Sequence, residues 1–165
     1  MDENKQPGIR FMGVELRNLM FGIHGPLPGK LPFAPSVTMQ GFLSSDEKQM
    51  DFHFTMDLFG SAKAEEKPPV DFRFTLIGHF SVAPEVNMTL REFGEHHAPG
   101  LLFPYVRELI SNLSARTVLP HLNLAPVNVF AWVKTGRATL TMVSAAQPQS
   151  EVGGEMKTSL PAGGS

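Results

Sequence analysis

The stretch LLFPYVRELISNLSARTVLPHLNLAPVN, residues 101–128, combines two patterns that belong to different kinds of structure. In its first half the apolar residues recur at helical spacing and cover an arc of roughly 160°, which predicts an amphipathic helix. Pro104 fits if the helix begins just before it, because the first amides of a helix have no acceptor within the helix. The second half is a leucine-rich run with prolines and no helical period, which predicts an irregular loop.

The residues before this stretch are rich in β-strand patterns. Apolar and polar residues alternate at residues 10–23, 50–59 and 70–82, which predicts half-buried strands, and residues 37–43 are a further short strand candidate. The alternation changes phase at Arg17 and Asn18, so we expect a bulge in the first strand. The polar connection between the last two strands favours an antiparallel hairpin, and we predict a meander-like strand order. Residues 24–36 hold four prolines, which indicates a long crossover loop.

Composition and charge exclude several classes of function. The net charge is −2 and the pI is about 6.3, with no block of like charges, so we expect no nucleic acid partner. The chain has no cysteine, and it has no apolar run of about 18 residues that could span a bilayer. We therefore expect a cytoplasmic protein without direct membrane insertion.

The sequence has no pattern typical of an enzyme or of a cofactor site. It contains neither a GxSxG elbow nor a glycine-rich phosphate loop. Glu95, His96 and His97 are adjacent, but neighbouring side chains in a helix or a strand point apart, and no HExxH spacing accompanies them. We therefore predict a protein without catalytic residues, metal or cofactor.

The stretch 101–128 is similar to the SecB family of bacterial protein-export chaperones, whose subunits share a phrase of the form LFPYxRExI and, after a short gap, LNLAPVNF. The segment KLPFAPSV resembles the family's crossover loop, with an aromatic residue, Phe33, two places before Pro35. The resemblance covers about residues 9–133 and implies an α+β subunit with a four-stranded antiparallel sheet and helices packed on one face, assembling as a dimer of dimers. The matching residues of the helical phrase are Phe103, Pro104, Tyr105, Arg107 and Glu108.

The resemblance also implies a function. SecB-like proteins are ATP-independent holdases that bind unfolded polypeptides or preproteins in hydrophobic grooves and keep them translocation-competent for export. The loops that help to form these grooves correspond to residues 24–36 and 117–128. The 13 Phe and 9 Met residues suit many client sequences, because large flexible apolar side chains adapt to different shapes. The residues expected to contact clients are Phe33, Pro35, Leu119, Leu122 and Leu124.

Two other functions remain open. A SecB-like chaperone dedicated to the antitoxin of a toxin–antitoxin system would use the same fold and groove without the export motor SecA. A domain that binds a small apolar ligand is the second alternative. In the family, acidic residues of the first strand help to dock SecA, and the corresponding positions here are Asn18 and Gly22. SecA is therefore a possible partner, for which we expect weak or absent binding.

The end of the chain departs from the family pattern. After the LAPVN phrase the family continues into a second helix, whereas residues 129–143 contain Gly136 and many β-branched residues, so we expect a shortened or altered element. We divide the chain into a flexible N-terminus at 1–8, a SecB-like domain at 9–143 and a disordered tail at 144–165. We also expect a homotetramer, since one sheet face cannot cover the wide apolar helix face and the apolar loops.

Overall fold

The structure, a computed structural model, describes residues 8–31, 33–61, 65–119 and 122–145. Within these residues the chain forms five strands and three helices in the order β1 (Ile9–Ile23), β2 (Ser36–Leu43), β3 (Gln49–Asp57), β4 (Val70–Val82), α1 (Leu90–His96), α2 (Ala98–Ser114), α3 (Val129–Lys134) and β5 (Ala138–Ser144). The predicted flexible N-terminus and disordered tail lie outside the described residues, apart from Gly8, Ser144 and Ala145.

The strands form one mixed sheet in the order β1-β4-β3-β2-β5. The predicted hairpin of β3 and β4 is confirmed by its antiparallel pairing, but the meander-like order is wrong at β1, which pairs with β4 rather than with β2. Residues 24–35 therefore carry the chain across the end of the sheet to β2, which is the crossover that the prolines predicted. This arrangement places an irregular segment beside the ends of β3 and β4.

A fifth strand corrects the prediction of four antiparallel strands. β5 pairs in parallel with β2, from Val37 opposite Ala138 to Leu43 opposite Ser144. The β-branched residues that indicated an altered final element account for this strand, because side chains such as Thr139 and Thr141 favour extended backbone. The altered element is thus a single short helix, α3, followed by a strand.

The predicted bulge in β1 is confirmed. The pairing of β1 with β4 shifts register between Arg17 and Met20, and Asn18 has a φ of 56°. Asparagine tolerates this left-handed conformation better than most residues, so the phase change of the sequence coincides with a local backbone feature. A second shift lies between Phe11 and Gly13.

One face of the sheet forms the core, as the alternating pattern predicted. The helices cover this face: the ring of Phe93 in α1 packs on Phe80, and the ring of Phe103 in α2 lies 6.4 Å from that of Phe54. Apart from Ile77, the largest fully buried side chains of β3 and β4 come from the predicted apolar positions Met50, Phe52, Phe54, Met56, Phe72, Phe74 and Phe80.

The position of Pro104 differs from the prediction. Helix α2 begins at Ala98, so Pro104 lies inside the helix rather than in its first turn. A proline at this position removes the hydrogen bond to the carbonyl of Gly100, but both residues are exposed, so water can bond to that carbonyl. Pro99 occupies the start of the helix, where a proline costs little. Helix α1 was not predicted, and Thr89 and Glu92 begin it with a capping box.

Candidate functional site

The two loops that the sequence singled out meet in space. They enclose a cleft of about 410 Å³, which we call the loop cleft. The crossover segment supplies one wall and the residues after α2 supply the other. The lining residues are Leu27, Pro28, Gly29, Leu31, Val118 and Leu119. The cleft is therefore lined by apolar side chains on irregular backbone, which is typical of a surface that binds rather than reacts.

The crossover segment is fixed at both ends to the β3–β4 end of the sheet. At its start, the amide of His24 donates to the carbonyl of Pro69 at 2.8 Å, and its imidazole Nε2 lies 2.8 Å from Asp71 Oδ2. At its other end, the amide of Ala34 donates to the carbonyl of Leu58 at 3.1 Å. Two anchored ends limit how far the residues between them can move, so Leu27 and Leu31 are presented at a defined place.

Phe33 stands on a rigid support near the second anchor. Its side chain is 46% exposed, and its ring meets the buried ring of Phe59 edge-on with centroids 6.2 Å apart. The Asp57 carboxylate Oδ1 accepts hydrogen bonds from the amides of Phe59, Gly60 and Ser61, which fixes the turn beneath. The exposed face of Phe33 is thus held ready for an apolar contact without further ordering.

The segment after α2 is held by two polar side chains of the helix. The Nε of Arg107 donates to the carbonyl oxygen of Leu124 at 2.8 Å. The buried hydroxyl of Ser114 accepts from the amide of Leu122 at 3.0 Å and donates to the carbonyl of Ser111 at 3.2 Å. These bonds hold Leu122 and Leu124 half-buried against the core.

The predicted groove residues differ in accessibility. Phe33 is exposed and Leu122 and Leu124 are half-buried, whereas Leu119 is only 5% exposed and serves as the floor of the loop cleft. Pro35 is half-buried in a separate small cleft with Trp132 and Arg137.

Sequence reasoning missed Val118, which is 77% exposed, and the crossover leucines that line the same cleft. These residues belong to the two loops that the prolines marked, but irregular backbone has no period from which exposure could be read.

The residues of the helical motif have several roles. Phe103 is buried between Phe54 and the indole of Trp132, with which it makes an edge-on contact. Tyr105 is partly exposed and packs near Phe11 of β1, with ring centroids 5.9 Å apart. Arg107 holds Leu124 in the segment after α2, while Pro104 and Glu108 face solvent.

The opposite face of the sheet carries mixed charge, and we call it the outer face. On it, His79 lies between two carboxylates, with Nδ1 2.7 Å from Asp51 Oδ1 and Nε2 3.4 Å from Glu15 Oε2. The hydrogen bond with Asp51 raises the pKa of His79, whereas burial lowers the pKa of the neighbouring His53. Glu15 also pairs with Arg17. The predicted SecA-docking position Asn18 lies exposed in the bulge of β1 beside this cluster.

Comparison with known proteins identifies the family. The family model described as preprotein translocase subunit SecB matches residues 30–136, which include Leu31, Val118 and Leu119 of the loop cleft. The chain belongs to the SecB family. Its fold is similar to that of the Mycobacterium tuberculosis SecB-like chaperone Rv1957 in complex with a ChAD peptide from the HigA1 antitoxin. That likeness has a TM-score of 0.58 and 15% identity and covers 73% of this chain and 88% of the other.

A curated relative is similar in sequence to part of this chain. It is an uncharacterized protein of Methanocaldococcus jannaschii, 39% identical over 70 residues, and the match spans 42% of this chain and 45% of that protein. Within the described part of the chain, no group of three or more His, Cys, Asp or Glu side chains could hold a metal ion. None of the helices in the described ranges is long and apolar enough to cross a membrane.

Proposed function

We propose that this SecB-family protein is an ATP-independent holdase that binds unfolded polypeptide clients in the loop cleft. The observation that supports the proposal is the meeting of the two proline-rich segments around an apolar cleft, with Val118 and Phe33 exposed. Prolines keep such backbone out of sheets and helices, so its apolar side chains stay available to a partner. No ATP-binding pattern is needed, because client exchange follows from many weak apolar contacts.

The size of the cleft suits an extended client. A volume of about 410 Å³ accommodates a few side chains rather than a folded domain. Each large apolar anchor contributes about 1.5–3 kcal/mol when it is fully buried. One cleft therefore binds a short segment weakly, and strong binding requires several clefts along one client.

Repeated clefts would come from assembly into a homotetramer, a dimer of dimers. Strand β1 is an edge strand of the described sheet, with one side unpaired. Four apolar side chains of β1 are exposed, which favours a contact with another copy of the chain: Met12, Leu16, Leu19 and Met20. Light scattering tests the assembly, and a particle of about 18 kDa, the mass of one chain, would contradict it.

Export is the cellular role that the family description supports, with clients kept translocation-competent in the cytoplasm. Protection of an antitoxin is a second candidate, favoured by the antitoxin peptide in the Mycobacterium tuberculosis neighbour. The two roles differ in their partners. Copurification from cells tests them: SecA and preproteins among the bound proteins support export, and one antitoxin as the dominant client supports the second role.

The holdase proposal is tested with two exposed residues, Val118 in the lining of the loop cleft and Phe33 on the crossover segment. Phe33→Ser combined with Val118→Ser should weaken the suppression of aggregation of a slowly refolding protein several-fold. Both side chains are exposed, so stability should change little. Leu119 is unsuitable for this purpose, because truncating a buried leucine costs about 2–5 kcal/mol of stability.

The matched control is Val86→Ser, which removes an exposed valine from a separate cleft beside α1. The variants are compared only after their melting temperatures and oligomer contents have been shown to equal those of the wild type. Full suppression of aggregation by the intact double variant would contradict the assignment of client binding to the loop cleft. If only Val86→Ser weakened the suppression of aggregation, client binding would be assigned to the cleft beside α1 instead.

A further inference from the structure

The charges of this chain are distributed unevenly between the loop cleft and the rest of the protein. Residues 16–45 and 109–150, which contain both walls of the cleft, hold none of the 16 Asp and Glu residues. They hold five of the 14 Lys and Arg residues. The chain as a whole has a net charge of −2, so the walls of the cleft are cationic segments in an acidic protein.

Two of these cations are close in sequence to the lining residues of the cleft. Lys30 lies between the lining residues Gly29 and Leu31, and Arg116 is two places before Val118. Both cationic side chains belong to exposed residues. Neither has an ion-pair partner among the described residues, whereas Arg17 of β1 pairs with Glu15. Lys30 and Arg116 are therefore available to a partner.

Two carboxylates at the same end of the sheet are already engaged. Asp71 is bonded to His24 at the start of the crossover segment. Asp57 accepts hydrogen bonds from the turn beneath Phe59. The exposed Glu65 and Glu66 belong to the β3–β4 connection, whose described residues contribute nothing to the lining of the loop cleft. No carboxylate within the described walls of the cleft offsets Lys30 and Arg116.

We infer that the loop cleft prefers unfolded polypeptide segments that combine apolar residues with Asp and Glu. This inference rests on the proposed holdase function and names the client class of the same cleft. The apolar lining takes the apolar side chains of such a segment, and its carboxylates meet Lys30 and Arg116 at the rim. Charge complementarity of this kind selects partners more than it adds affinity. The net charge of the whole chain favours basic clients, so the local and global charges make opposite predictions.

The experiment uses three fluorescent peptides of about 20 residues that share the same apolar residues. Their remaining variable positions are all Glu in the first peptide, all Gln in the second and all Lys in the third. Fluorescence anisotropy measures their binding to the full chain at low and at high salt. We expect the Glu peptide to bind about fivefold more tightly than the Gln peptide, the effect of two exposed ion pairs, and the Lys peptide to bind most weakly. High salt should remove most of the difference, because it screens exposed charges.

Charge reversal identifies the residues. Lys30→Glu with Arg116→Glu should abolish or invert the preference for the Glu peptide over the Lys peptide. The matched control is Lys48→Glu, an exposed lysine in the turn at the other end of β2, which should leave the preference intact. A control that shifts the preference as much as the double variant would overturn the role of the cleft cations.

The outcomes separate this inference from the proposed function. Equal binding of all three peptides, or tightest binding of the Lys peptide, would overturn the acidic preference and leave the holdase function in place. Failure of every peptide to bind, together with no suppression of aggregation by the wild-type protein, would overturn the proposed function itself.

Discussion

The Nε of Arg107 donates a hydrogen bond to the carbonyl oxygen of Leu124 at 2.8 Å, which joins the helix of the stretch 101–128 to the loop that follows it. The helix turns the arginine toward the returning loop, and the planar guanidinium fixes the direction of the bond. Ser114 adds a second bond two residues earlier in the loop, to the amide of Leu122. The two halves of the stretch therefore form one structural unit.

Replacing Arg107 should loosen the segment around Leu124 that follows α2. We expect Arg107→Met to lower the free energy of unfolding by about 1.5–3 kcal/mol, the range for a hydrogen bond with a charged group. Amide hydrogen exchange of residues 122–128 should become faster. Arg107→Lys keeps the charge without the planar donor and should recover part of the loss. Unchanged exchange in Arg107→Met would show that this bond does not hold the loop.

Ser114 tests the same unit from inside the core. Its hydroxyl is buried, so Ser114→Ala leaves the Leu122 amide without its acceptor and should cost about 1–3 kcal/mol in urea unfolding. The exposed Asn112→Ala on the same helix serves as the control and should change stability by less than about 0.5 kcal/mol. Equal effects of the two substitutions would contradict the structural role of the hydroxyl.

The sequence predicted the regular parts of the fold better than the site. Alternation along β3 and β4 identified the buried face, because a strand in a half-buried sheet repeats every two residues. Strand β5 was missed because its partner β2 lies about 100 residues earlier, and such non-local parallel pairing leaves no local pattern. Composition marked both walls of the loop cleft, but only the structure distinguishes the exposed Val118 from the buried Leu119.

The early start of α2 has a simple test at Gly100. This glycine is exposed within the helix, and an added Cβ would have no neighbour within 4 Å. Gly100→Ala should therefore stabilise the protein by roughly 0.5–1 kcal/mol through helix propensity. The contrasting variant is Gly136→Ala, where a φ of +73° disfavours any side chain and stability should fall. No gain at Gly100 would support a helix that begins near Pro104.

The outer face predicts opposite pH dependence for two histidines. The bond with Asp51 raises the pKa of His79 above its usual 6.5, so its stabilising contribution is complete below pH 6.5 and is lost as pH rises through the folded-state pKa. Burial lowers the pKa of His53, so protonation below pH 6.5 destabilises the folded state.

Urea unfolding between pH 5 and pH 8 measures both contributions. His79→Gln should lose more stability relative to wild type at pH 5.5 than at pH 8. His53→Gln should gain stability relative to wild type at pH 5.5 compared with pH 8. The same sign for both variants would contradict the assignment of their environments.

The mixed charge of the outer face leads to an expectation for SecA. Asn18 and Gly22 carry no charge at the positions where the family resemblance places acidic residues, and the nearby Glu15 is paired with Arg17. Charge complementarity steers docking of this kind, so wild-type binding to SecA should be weak in a titration at low salt.

Asn18→Asp restores one acidic residue of the strand without backbone strain, because aspartate tolerates the φ of 56° at this position. Gly22→Glu adds a second charge, but its Cβ would lie 3.2 Å from the imidazole of His24, so Gly22→Gln is needed as a control of the same size. The combination of Asn18→Asp and Gly22→Glu should strengthen binding several-fold at low salt and lose the gain at about 0.5 M salt, where exposed charges are screened. Strong binding by the wild type that neither substitution changes would show that SecA docks elsewhere on the chain or without these charges.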